Sequence, residues 1–85
     1  MTRPYIWTLL QPAYEALVRL PDEDRRIVEG EFYFLAAHPF RRPAFETPDL
    51  DGLPLATIYV GDYMLTYHVD HAARRVDILE IDTVP

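Results

Sequence analysis

The sequence predicts a small α+β domain of order β-α-α-β-β-β, in which a helical hairpin packs on one face of a mainly antiparallel sheet. Three observations carry that reading. Residues 53–69 (LPLATIYVGDYMLTYHV) form two arms rich in β-branched and aromatic residues, folded about Gly61-Asp62. Residues 11–37 place apolar side chains at helical spacing, interrupted by Pro21. Short β-rich runs, YIWTLL and VDILEI, stand before and after these two blocks.

In chain order, the first strand runs from residue 5 to residue 8 or 10. Gln11-Pro12 opens the first helix, because proline suits the first helical turn, where its missing N–H costs nothing. Ala13, Ala16, Leu17 and Leu20 make one apolar stripe, and Pro21 stops the helix. Asp22 is the expected N-cap of the second helix, with Glu23 and Asp24 at the positive end of its dipole. That helix runs from residue 23 to about residue 37. Its buried side is expected to hold Ile27, Val28, Phe34 and Leu35, with Phe32 near the edge. Gly30 costs about 1 kcal/mol relative to Ala there, so it marks either close helix packing or a tolerated residue. His38-Pro39 ends the helix, since the residue before proline is pushed out of the α region. Residues 40–52 read as a loop, punctuated by Pro43, Pro48 and Asp51-Gly52.

Glycine in the first loop position points to a II′ turn, and that turn fixes the register of the hairpin. Val60 then faces Tyr63, Tyr59 faces Met64, Ile58 faces Leu65, Thr57 faces Thr66, Ala56 faces Tyr67 and Leu55 faces His68. Side chains alternate between the two faces of a sheet. Ala56, Ile58, Val60, Tyr63, Leu65 and Tyr67 therefore make an apolar core face. Leu55, Thr57, Tyr59, Met64, Thr66 and His68 make a mixed second face. Residues 71–74 form the next loop, which pairs Val69 with Val76, Tyr67 with Ile78 and His68 with Asp77. A last strand covers residues 76–81, and its ILEI run predicts a bulge or a central strand covered on both faces.

Bulk properties narrow the function. Eighty-five residues make one domain, 1–85, which buries roughly 60–65% of its unfolded surface. With 49% hydrophobic residues the chain is too apolar to be disordered, and no apolar run reaches the roughly 20 residues of a membrane span. The N-terminus has no long apolar core followed by a small-residue cleavage site, so no signal peptide is read. Without cysteine there is no disulfide, thiol nucleophile or thiolate zinc site, and a reducing cytoplasm is the simplest home. Eight Arg and no Lys against fourteen acids give a formal charge of −6. That balance argues against a broad nucleic-acid footprint and leaves room only for a local basic patch. A basic protein partner suits it at least as well.

The segments WTLLQPAYEALVRLP and VGDYMLTYHVDHAARRVDILEI, with the His38-Pro39 step between them, span most of the chain. In this order they resemble the RelE/ParE toxin superfamily of bacterial toxin–antitoxin systems. The resemblance implies a microbial cytoplasmic protein, a cognate antitoxin that wraps the sheet or helices, and a toxic activity. In one branch that activity is ribosome-dependent messenger-RNA cleavage, and in another it is inhibition of DNA gyrase without catalysis. Ribonuclease members of the family carry basic residues on the strand before the hairpin turn, just after its Tyr, and past the last strand. Here those places hold Leu55, Thr57 and Tyr59, then Met64, then Asp82, Thr83, Val84 and Pro85. No catalytic residue transfers by motif.

The residues left to consider each carry two readings. His68, opposite Asp77, is a general base oriented by a carboxylate or a cross-strand polar pair. Arg41 and Arg42 contact RNA phosphate, or they are surface charge near Glu46, Asp49 and Asp51. Tyr59, on the second face, stacks on a base or grips a peptide, or it only covers the sheet. Trp7 reads as a packing anchor. Arg25 and Arg26 make local ion pairs with the acids at 22–24. His38, His68 and His71 have no recognised metal-ligand spacing, and no cofactor is expected. Two functions follow: an interaction module, either a toxin-family protein that acts by binding or a degenerate member that is no longer toxic; or a ribosome-dependent endoribonuclease with an unusual site at Arg41, Arg42, Tyr59 and His68. A sheet-edge homodimer through the first or last strand is a further arrangement.

Overall fold

A computed structural model describes residues 3–48 and 51–85. Its elements are β1 (Ile6–Leu9), α1 (Gln11–Val18), α2 (Asp22–Ala37), β2 (Phe45–Pro48), β3 (Pro54–Val60), β4 (Tyr63–Asp70) and β5 (Arg75–Thr83). The sheet order is β1-β5-β4-β3-β2, with β1 parallel to β5 and every other pair antiparallel. This is the expected α+β arrangement with one strand more than the sequence indicated.

The β3–β4 hairpin forms as the turn chemistry dictates. Gly61 has φ +57°, while Asp62 has no positive φ, which is the II′ pattern. Pairing from Val60–Tyr63 to Ala56–Tyr67 follows the predicted register, and the ladder ends there, one pair short of Leu55–His68. Asp70 closes the next turn by accepting the Ala73 N–H at 2.9 Å, and Arg74 completes it in the left-handed region at φ +54°.

β5 lies inside the sheet between β1 and β4. Val69–Val76, Tyr67–Ile78 and His68–Asp77 pair as expected, and the register then shifts so that Thr66 meets Glu80. Leu79 is the extra residue, so the ILEI run holds both a bulge and a central strand. Because the last strand is interior, it offers no edge to a second copy; the edges are β1 and β2.

Both helices cover the same face of the sheet. Ala13 and Leu17 of α1 and Val28, Phe32, Leu35 and Ala36 of α2 join Ile58, Val60, Leu65, Tyr67, Val76, Ile78 and Ile81 in one core. Trp7 anchors this layer against Phe32, with ring centroids 5.1 Å apart. Among the described residues, no helix is long and apolar enough to cross a membrane.

Three local expectations are corrected. Helix α2 begins one residue early, with Pro21 at the cap and the Arg25 N–H bonded to the Pro21 carbonyl at 2.8 Å. Asp22 thus sits in the first turn, where it accepts from Arg25 at 2.8 Å. Second, Ile27 and Phe34 are 54% and 44% exposed, while Phe32 is fully buried. The helix carries two overlapping apolar stripes, and the one that includes Phe32 meets the sheet beside Trp7. Phe34 is flanked instead by His38, at 4.4 Å, and by the Arg41 guanidinium, at 4.9 Å. Third, the presumed loop contains β2, an edge strand aligned by Phe45–Thr57 and by the Ala44 N–H donating to the Thr57 carbonyl at 2.9 Å. All four of its residues are exposed, so it shows no in–out alternation.

Gly30 is on the exposed side of α2, and a Cβ added there meets nothing within 4 Å. It is a tolerated residue, so Gly30→Ala should raise stability by about 0.5–1 kcal/mol, measured as a higher denaturant midpoint at unchanged slope. Leu65→Ala, at the fully buried centre, should cost about 2–5 kcal/mol in the same assay.

Candidate functional site

The face of the sheet turned away from the helices is built in rows by the strand pairing. Ile6, Arg75 and Asp70 share one row, and Thr8, Asp77 and His68 the next. Glu80, Thr66, Thr57 and Phe45 follow, then Asp82, Met64 and Tyr59. Directly opposed residues in neighbouring strands project to the same side, so these side chains share one face, on which Thr57 is buried among its neighbours. Tyr59 is 52% exposed there, with Phe45 beside it at a ring-centroid distance of 6.3 Å. Four carboxylates and one guanidinium lie in these rows.

That guanidinium is already engaged. Arg75 Nε donates to Asp77 Oδ1 at 2.6 Å, one Nη donates to Asp77 Oδ2 at 3.3 Å, and Asp70 lies 3.5 Å away. Thr8 Oγ1 donates to the same Asp77 carboxylate at 2.8 Å. The Arg75 hydrogen bonds hold the Asp77 carboxyl below its ordinary range; partial burial opposes this and the Thr8 hydroxyl assists it. His68 stands opposite Asp77 as the register requires, yet its Nδ1–H is given to the Pro54 carbonyl at 3.2 Å. Asp77 therefore ties β1 to β5 instead of orienting the imidazole.

A second feature opens at the end of the sheet, where α2 gives way to β2. Arg41, His68 and His71 line a cleft of about 260 Å³ with Glu46, Tyr67 and Phe40. Arg41 reaches it while paired to Glu31 of α2. The ring of His71 stacks on Phe40 at 4.6 Å, and its Nδ1 is hydrogen-bonded to the Tyr5 hydroxyl at 3.0 Å. Burial raises the Tyr67 phenol above its usual value, and Arg41 opposes that shift. Of the four residues singled out from sequence, the cleft brings together Arg41 and His68. Arg42 is exposed with no ion-pair partner among the described residues, and Tyr59 lies on the open face. Phe40, His71, Tyr5 and Glu46 were not anticipated as a group. Phe40 follows a helix break and His71 opens a turn, so no periodic pattern marks them. Among the described residues, no three His, Asp or Glu side chains are grouped to hold a metal ion.

Since the folded pKa of Asp77 is depressed, its contribution to stability is present above the ordinary carboxylate value near 3.8 and is lost as pH falls through the lower folded value. Asp77→Asn should therefore flatten the loss of stability below pH ~4, read from denaturant midpoints across an acid series. An unchanged acid limb would contradict the assignment.

Three solved structures share this fold. A chain of the RelBE2 toxin–antitoxin complex from Mycobacterium tuberculosis matches with a TM-score of 0.77 and 24% identity, over 95% of this chain and 99% of that one. A chain of the RelE–RelB complex from Pyrococcus horikoshii OT3 matches at 0.78 and 21%, over 95% and 96%. The isolated E. coli RelE toxin matches at 0.69 and 18%, over 95% and 85%. No protein-family model and no curated protein matches the chain. The two helices on a five-stranded sheet with β5 in its interior thus have the fold seen in these RelE structures.

Proposed function

We propose that the chain is the toxin of a type II toxin–antitoxin pair, a cytoplasmic protein restrained by a cognate antitoxin and acting by binding a protein target. Its fold is that of RelE, and two of the similar structures are named as RelE- or RelB-containing complexes. The observation that favours binding over RNA cleavage is the chemistry of the open face. Cleavage needs cations beside the scissile phosphate. The rows across this face hold one cation, Arg75, and it is taken by Asp77 and Asp70. Glu80 and Asp82 would repel a phosphodiester approaching the same surface. Gyrase is the protein target class that the family resemblance offers.

A ribosome-dependent endoribonuclease is the second reading, favoured by one fact: Arg41 and His68 line the same cleft. On that reading His68 is the general base, Arg41 and Arg42 hold RNA, and Tyr59 stacks on a base.

Tightly controlled expression in a bacterial host, with and without the neighbouring reading frame, tests both. The binding reading expects growth arrest that the neighbour relieves, intact messages during arrest, and full toxicity in the Arg41→Ala/His68→Ala double variant. Cleaved messages that disappear in a folded double variant would establish the endoribonuclease instead. Absence of arrest at high soluble expression would remove the toxin and point to a degenerate or purely binding relative.

A further inference from the structure

The open face has two halves of different chemistry. Towards β2 and β3 it is apolar and aromatic: Phe45 and Tyr59 are exposed, with Leu55 and Met64 half-buried beside them. Along β5 it is acidic, with Asp77, Glu80 and Asp82 in successive rows. Glu80 and Asp82 are exposed, and neither has a cationic partner among the described residues. Five residues of strand separate Asp77 from Asp82, a rise of roughly 16 Å.

We infer that this face docks an amphipathic, basic segment of the restraining protein, its apolar row on Phe45, Tyr59 and Met64 and its Arg or Lys row along β5. Charge selects that occupant. A second copy would bring the same carboxylates against themselves, and a nucleic acid would bring phosphates to them. A basic segment gains two unpaired carboxylates, and its cations also find the exposed Tyr59 ring. The identity of the partner as the restraining protein rests on the toxin–antitoxin reading; the preference of the surface for basic amphipathic chemistry does not.

The test uses three synthetic ten-residue peptides, alternating Arg–Val, Glu–Val and Arg–Ser, titrated into the full isotope-labelled chain. The Arg–Val peptide is expected to bind with amide shifts centred on Tyr59, Met64, Glu80 and Asp82. The other two should bind at least tenfold more weakly, since each lacks one of the two complementary rows. Glu80→Lys with Asp82→Lys, both at exposed positions, should weaken Arg–Val binding at least tenfold while the helix resonances keep their positions. Shifts confined to α2 or to the His68–His71 cleft would overturn the inference, as would an affinity indifferent to the charge reversal. Growth arrest relieved by the neighbour without peptide binding would remove this inference alone. Peptide binding on the open face without arrest would leave the basic, amphipathic docking surface standing and remove the toxin reading, and with it the identity of the partner.

Discussion

Val76, Ile78 and Ile81 all face the helices, and they can do so because Leu79 is an extra residue in β5. Strict alternation from Ile78 would have turned Glu80 and Asp82 inward, burying two carboxylates under α1 and α2. The bulge resets the alternation after Ile78 and sends both acids to the open side. Hence one local irregularity makes the core continuous and the opposite face acidic. The helices rest on the floor that results, with α1 lying over β5 and α2 over β1, β3 and β5.

The same strand settles what its charges are free to do. Asp77 is committed to Arg75 and Thr8, an interaction that spans from β1 to β5. Arg75 in turn is shared between Asp77 and Asp70, so its charge is already balanced by two carboxylates that would repel an incoming phosphate. Arg41 is similarly engaged, paired with Glu31 and lying over Phe34. Tyr63, the first residue past the hairpin turn, gives its hydroxyl to Asp24 of α2 at 2.6 Å, a bond that raises its pKa and fastens the turn end of the sheet to the helix layer. The polar side chains at the junctions between elements are thus largely spent on holding the fold, while Glu80 and Asp82 on the outer half of β5 face solvent.

Much of this was legible in the residues. The hairpin register came from Gly61 and a period of two, which admits one alignment once one face must be buried. The pairing of His68 with Asp77 came from the next loop by the same logic. Helix α2 was harder to read, because Ile27 and Phe34 are as apolar as Val28 and Phe32, and the choice between stripes is made by Trp7 on a distant strand. The strand β2 left no pattern, being four exposed residues recruited by the free edge of β3. Of the candidate site, the sequence supplied Arg41 and His68 but not their surroundings. Glu31 pairs with Arg41 from ten residues upstream, and Tyr5 meets His71 across sixty-six. Contacts that depend on strand order leave no local trace.

The Thr8–Asp77 bond joins residues sixty-nine positions apart, and β1 finds its sheet partner in β5 alone. A ribosome adds roughly 5–20 residues per second, so for several seconds of synthesis β1 and the helices that follow it have no floor to fold on. The half-made chain carries the hairpin sequence but no finished sheet. The helix layer and β1 therefore wait, without their sheet, until translation has passed β5.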